Sequence, residues 1–447
     1  MPLVRFTLPV LAALLLQAMY GAVDLLIVGR FAMPADVSAV ATGAEIMLTM
    51  TDLIASFAMG ATVLLGQKIG EGKPEEGGET IGVSIVLFAM IAAVLTVLLV
   101  PGAGLVARVM HAPAEAFDLT VSYVRICGMG AAVIIAYNLI GSIFRGIGDS
   151  MTPLVTVLIA CGCNIAGDLF LVAGLGLGAS GAAIATVAAQ AASVVLSLLL
   201  IRRKTLPFSF RPSMIRFRKK RAAQITRLGL PIAFQDFLVS ISFLVILRIV
   251  NELGVTASAG VGVAEKICMF IMLVPIAFMQ SMSAFVAQNA GARRYDRAQK
   301  AMFCGIALSL AIGAVMFWLS FFHGTVLTSI FSRDAEVAAA GADYLKAYAI
   351  DCLMTPVFFC FIGFFNGIGR TRYVMVQGIV SAFAVRIPVA YIMSRRVPVS
   401  LFRIGLATPC SSALQIVMGL VFLAVVRREW KKADPPEAYA QQKDEAQ

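Results

Sequence analysis

Apolar stretches of twenty to thirty residues alternate with short polar breaks along nearly the whole chain. Each stretch is long enough to cross ~30 Å of hydrocarbon as a helix, whereas a barrel strand needs only ~10 residues of alternating character. The pattern predicts twelve spans, at 6–30, 37–66, 80–107, 117–143, 152–174, 178–201, 225–251, 257–288, 298–327, 338–366, 373–394 and 402–426. The fold class expected is therefore an all-α integral membrane protein.

The polar breaks set domain organisation and orientation. The longest is RRKTLPFSFRPSMIRFRKKR, near the midpoint, so the chain divides into an N-lobe (1–201), a basic linker (202–224), a C-lobe (225–427) and a polar, proline-containing tail (428–447) expected to be disordered. The linker is expected to lie against anionic lipid head groups rather than nucleic acid. Even-numbered loops hold Lys68, Lys73, Arg145, Arg293, Arg294, Arg297, Lys300, Arg370 and Arg372 as well as the linker. Odd-numbered loops hold only Arg30, Arg108, Arg333, Arg395 and Arg396. Cytoplasmic loops carry the excess of Lys and Arg, so both termini are placed in the cytoplasm, with Arg395 and Arg396 as exceptions.

The halves overlay on one another. Pro9 falls on Pro231, Glu45 on Glu265, Gln67 on Gln288, Gly70 on Gly291, Gly146 and Gly148 on Gly367 and Gly369, and Ala185-Thr186 on Ala407-Thr408, all at shifts of 220–222 residues. Six spans are an even number, so the copies enter the membrane in the same direction and make two pseudo-symmetric six-helix lobes related by an axis along the membrane normal. Two such lobes around a central cavity form a transporter plan.

Asn164 and Asp168 lie four residues apart in an almost wholly apolar stretch, so on a helix both point from one face. A carboxylate in hydrocarbon costs at least ~2.5 kcal/mol, and such groups mark ion pathways unless a helix end hydrates them or a structural hydrogen bond satisfies them. Asp24 in span 1 falls opposite Ile246, and Asp168 opposite Val389, so only the first half keeps these carboxylates. A shared packing need would appear twice, whereas one ion site need appear once. Glu45 and Glu265 occur in both halves and read as structural or gating residues.

Composition agrees with the pattern. The 447 residues are 60% hydrophobic and 14% charged, against about 25% charged in soluble domains, and mean hydropathy is +0.90. The net charge of +11 sits on one side of the membrane and does not call for nucleic acid. The N-terminal stretch lacks a short core followed by a small-residue cleavage site, so no removable signal peptide is expected. Eight cysteines form no CxxC or Cys/His pattern, and both histidines fall near loops, so neither zinc nor an intramembrane hydrolase is favoured. No GxxxxGK[ST] occurs, which argues against ATP as the driving force, and no filter-like loop marks a channel.

VDLLIVGRF (23–31), GATVLLGQKIGEG (60–72), RGIGDSMTP (145–153), CNIAGDLFLVAGLGLGASGAAIATV (163–187), GLP (229–231), AFVAQNAGARRYDRA (284–298) and NGIGRT (366–371) together resemble the multidrug and toxic compound extrusion (MATE) family, in particular its DinF-like and MepA-like branch. The resemblance implies a cation-coupled exporter of organic, often cationic, compounds, needing no cofactor beyond Na⁺ or H⁺ as coupling ion. It implies a monomer in the cytoplasmic membrane of a prokaryote. By the same resemblance Asp24, Asn164, Asp168 and Thr186 form an N-lobe cation site, which could hold Na⁺ through oxygen ligands or share a proton between two carboxylates. Pro9 matches a proline associated with bending of the first helix, unless it merely occupies that helix's first turn. Gln17, Glu45, Glu265, Asp236 and Asp351 are candidate gating or substrate residues, the last two lying in spans 7 and 10, where another branch carries its acidic residues. A flippase for lipid-linked or amphiphilic molecules shares the plan and is the alternative.

Overall fold

In the computed structural model, which describes residues 2–204, 206–208 and 210–433, every predicted span is helical, and no strand occurs among the described residues. We number the spans α1 (Pro2–Phe31), α2 (Pro34–Gly70), α3 (Pro74–Val109), α4 (Phe117–Met129 and Ala131–Ile147), α5 (Met151–Gly174), α6 (Gly178–Arg203), α7 (Lys219–Asn251), α8 (Val255–Gly291), α9 (Tyr295–Phe322), α10 (Ala335–Gly367), α11 (Thr371–Ser394) and α12 (Leu401–Trp430). Eleven are long and apolar enough to cross a membrane unbroken; the two parts of α4 meet at 56° and pass that test together. The bend falls at Gly130, where an added Cβ would lie 2.6 Å from Cγ1 of Val187. Helices α2 and α3 begin with proline in the first turn, where the missing N–H removes no helical bond.

Helical backbone continues past Arg427 to Ala433, so the first six residues of the expected disordered tail are ordered. RREWKK carries no helix breaker. The rest of the tail lies outside the described residues. Pro9 sits in the interior of α1, beyond its first turn, so the first-turn reading does not hold.

Contacts divide the chain into two compact units. The first comprises the chain to Phe237 with Met269–Gly305 and Gly363–Arg372; the second comprises Leu238–Cys268, Ile306–Ile362 and the chain from Tyr373. Within the first unit the repeat becomes a reciprocal contact. Gln67 donates to the carbonyl of Gly367 at 2.9 Å, and its counterpart Gln288 donates to the carbonyl of Gly146 at 2.9 Å. Gly70 and Gly291 let α2 and α8 touch beside these bonds: a Cβ on Gly70 would lie 2.0 Å from the Gln288 carbonyl, and one on Gly291 2.1 Å from that of Gln67. The equivalent turns share left-handed backbone, at φ 85° for Gly148 and 78° for Gly369.

The linker docks on the same unit. Arg218 pairs with Glu79 at 2.6 Å, Arg221 with Glu76 at 2.9 Å, and Phe208 is buried. The backbone of Met214 lies where a Cβ on Gly82 would stand, at 2.1 Å. The basic residues of the linker left exposed by this docking are Arg202, Arg203, Arg211, Arg216, Lys219 and Lys220. The second unit packs around Tyr344, Leu345 and Phe361, with Gly260 and Gly341 in mutual close approach, since a Cβ on either would lie 2.8 Å from the backbone of the other. There Arg395, one of the two charges at odds with the loop asymmetry, lies 3.6 Å from Glu252 and stacks over Tyr391.

Candidate cation site in the first half

Helices α1, α5 and α6 pack together in the first unit and carry the four predicted site residues. Helix α5 is α-helical as far as Asp168, so Asn164 and Asp168 share a face; it then widens into a π-helical segment, Leu169–Gly174. Such segments shift side-chain register locally and recur at functional sites. The start of α6 is fixed from outside: Oδ1 of Asp36 on α2 accepts from the backbone N of Ala179 at 2.8 Å, and Gly178, at φ 52°, leaves room for that carboxylate. This anchor sets the register of Thr186 against Asn164, whose Nδ2 lies 3.5 Å from the Thr186 hydroxyl.

Asp24 is 6% exposed, Asn164 1% and Asp168 0%. The two carboxylates come within electrostatic reach of one another. Oδ1 of Asp24, Oδ1 of Asn164 and both carboxylate oxygens of Asp168 are buried without a hydrogen-bond partner. Buried polar atoms are nearly always satisfied, so four unsatisfied oxygens at one place make a candidate ligand set for a positive charge. Oxygen donors of this kind suit a hard monovalent cation or a shared proton. No group of three or more His, Cys, Asp or Glu able to hold a metal occurs among the described residues, so any ion here would rest on two carboxylates plus neutral oxygens.

Sequence reasoning missed the second ring of the site. Tyr20 interacts with Asp24 and Gln190, and Tyr123 with Thr186 and Asp24. Helical spacing carried part of that signal, because Tyr20 stands four residues before Asp24 and Gln190 four after Thr186. Tyr123 comes from α4 and carried none; it fits because Gly43 of α2 has no side chain where a Cβ would meet the ring at 2.4 Å.

The remaining candidates scatter. Gln17 donates to the Tyr137 hydroxyl at 2.9 Å, two turns before Asp24 on the same face of α1. Glu45 is exposed, and Asp52 comes within electrostatic reach of both Glu45 and Asp236. Asp236 accepts a very short bond from Ser56. In the second unit Asp351 is 2% exposed and accepts from Thr355 at 2.8 Å, while Glu265 is half-buried. Arg386 is buried there too, bonded to Ser242 at 3.0 Å and stacked on Phe243.

A duplicated bundle of membrane-spanning helices, with a cluster of buried, unsatisfied oxygens on Asp24, Asn164 and Asp168 in its first copy, is the plan of a membrane transporter rather than an enzyme. The MatE family model matches residues 9–170 and again 231–392, and the chain belongs to that family, the MATE transporters whose motifs it carries. The two matches stand 222 residues apart, in register with the internal repeat. Among curated proteins the chain is 24% identical over 434 residues to the probable multidrug resistance protein YoeA of Bacillus subtilis, covering 96% of this chain and 93% of YoeA. It is 22% identical over 395 residues to the multidrug export protein MepA of Staphylococcus aureus, covering 88% of this chain and 86% of MepA. The fold superposes on a MATE transporter solved in complex with MaL6 (TM-score 0.89, 20% identity, 96% and 97% of the two chains). It superposes equally on an outward-facing multidrug resistance MATE transporter (TM-score 0.90, 19% identity, 96% of each chain).

Proposed function

We propose that this protein is a secondary antiporter that exports bulky organic, often cationic, compounds in exchange for Na⁺ or H⁺ entering through Asp24, Asn164, Asp168 and Thr186. The observation that carries the reading is the four unsatisfied oxygens on Asp24, Asn164 and Asp168 in otherwise apolar helices. Such a charge deficit is tolerable when a cation or protons visit it, and a site that must be filled to be stable is one whose occupancy can bias a conformational equilibrium. The names of YoeA and MepA support drugs as the cargo class. The loop charges support a cytoplasmic-membrane protein with both termini inside, and the chain works as a monomer in this reading.

Efflux of ethidium from proteoliposomes under an imposed Na⁺ gradient, and separately a pH gradient, tests the proposal. Wild type should transport under one gradient, which names the ion, and Asp24→Asn and Asp168→Asn should each abolish the coupling. Full coupling in both variants would overturn the site; no gradient-driven movement of any organic cation by wild type would overturn the antiport.

A further inference from the structure

We infer that the first half also carries an acceptor for an acidic group, a carboxylate or phosphate, built around Arg145 and separate from the cation site. Arg145 reads from the sequence as a loop charge, but it occupies the last turn of α4 and lines a cavity bounded by α1, α4, α5 and α6, with Gln280 of α8 also on its wall. Its guanidinium folds back along its own helix. Nη2 donates to Ser142 at 3.0 Å, and Nη1 lies over Gly141, where an added Cβ would stand 3.4 Å away. Nε is buried with no partner, and Arg145 forms no ion pair among the described residues. A helix C-terminus favours a cation, yet no carbonyl of that terminus accepts a bond from this one.

The cavity wall supplies donors and no counter-charge. Tyr137 accepts from Gln17 and keeps its own O–H to give; Asn138 spends one amide N–H on the Ile134 carbonyl and keeps the other; the Ser150 hydroxyl is uncommitted. No Asp or Glu lines the cavity. The nearby Asp149 is engaged by Lys204 at 2.6 Å and by Thr152. A half-buried guanidinium whose buried Nε–H is free, ringed by three neutral donors, is matched by an anion with several acceptor oxygens. The cavity is about 60 Å³, room for two waters or one acidic head, so an attached chain would lie along the apolar wall of Val10, Leu14 and Phe144. The second repeat has Asn366 where the first has Arg145, so the acceptor exists once. The inference depends neither on export nor on the coupling ion.

Thermal unfolding of the detergent-purified full chain tests it, followed by a thiol-reactive dye on the buried cysteines Cys127, Cys268, Cys352 and Cys360. Octanoate and octyl phosphate should raise Tm saturably, by roughly 3 °C at a hundredfold excess over Kd, and octylammonium and octanol should not. Arg145→Gln should abolish the difference between acid and alcohol. Tyr137→Phe should weaken acid binding about tenfold while keeping the preference for negative charge. Should Arg145→Gln fail to fold, Arg145→Lys keeps the charge without the fork and should retain a weakened preference. Equal response to octylammonium and octanoate, or an octanoate shift that survives Arg145→Gln, would overturn the inference. Adding phosphatidylglycerol to the micelles separates the sources: loss of the octanoate shift identifies a lipid head group as occupant, and persistence identifies a free acid.

Discussion

Replacing Gly70 or Gly291 by alanine adds one methyl group at the point where α2 and α8 touch. The new Cβ at Gly70 would lie 2.0 Å from the Gln288 carbonyl, and ordinary contact begins at 3.4 Å, so the helices must part locally by about 1.4 Å. That separation takes the Gln67–Gly367 and Gln288–Gly146 bonds, both 2.9 Å, beyond hydrogen-bonding distance. Overpacking costs about 1–3 kcal/mol, each lost bond about 1 kcal/mol, and the better helix propensity of alanine returns about 1 kcal/mol. The net expected is about 3 kcal/mol against the contact, and because the repeat makes it reciprocal, Gly291→Ala should cost nearly as much as Gly70→Ala. Amide hydrogen exchange over residues 66–72 and 287–293 reads this directly, as opening made roughly a hundredfold more frequent. Gly262→Ala on the same α8 helix, where a Cβ meets nothing within 4 Å, should leave exchange unchanged or slower. If Gly70→Ala behaves like Gly262→Ala, the close approach of the two helices is wrong.

Two smaller effects follow from the polar ends of the first unit. Arg293 holds a φ of 56° at the position equivalent to Gly72, so Arg293→Gly should stabilise by about 0.5–1 kcal/mol and raise the apparent unfolding midpoint. Partial burial draws the Asp149 carboxyl upward, but the Lys204 ammonium and the Thr152 hydroxyl and amide outweigh it and hold the group below the usual 3.8. A lowered folded-state value means stability present above the unfolded value and lost as pH falls through the folded one. Wild type should therefore lose at most about 1 kcal/mol below pH 3.8, because Lys204 is 42% exposed, and Asp149→Asn should remove that step from the acid limb of a melting profile.

The twelve spans were legible because crossing hydrocarbon demands one long apolar helix after another, and periodicity along the chain records that demand directly. Asn164 and Asp168 were legible for the same reason: four residues apart on a helix is a spatial statement. The repeat supplied Asp24 by contrast, since a carboxylate kept in only one copy answers a need the fold does not impose. Thr186 came only from the family resemblance.

What the chain could not disclose are the contacts closed between distant helices. Gly43 admits the Tyr123 ring and Asp36 caps α6, and neither pairing leaves a mark in local pattern because each partner is set by packing across more than seventy residues. Arg145 shows the limit most plainly. As a residue it is one more basic charge near a membrane edge; only the tertiary structure turns it into a cavity wall and surrounds it with donors but no acid. Hydrophobic burial is additive along a sequence and can be read there, whereas electrostatic complementarity depends on which groups meet, and that is decided when the helices pack.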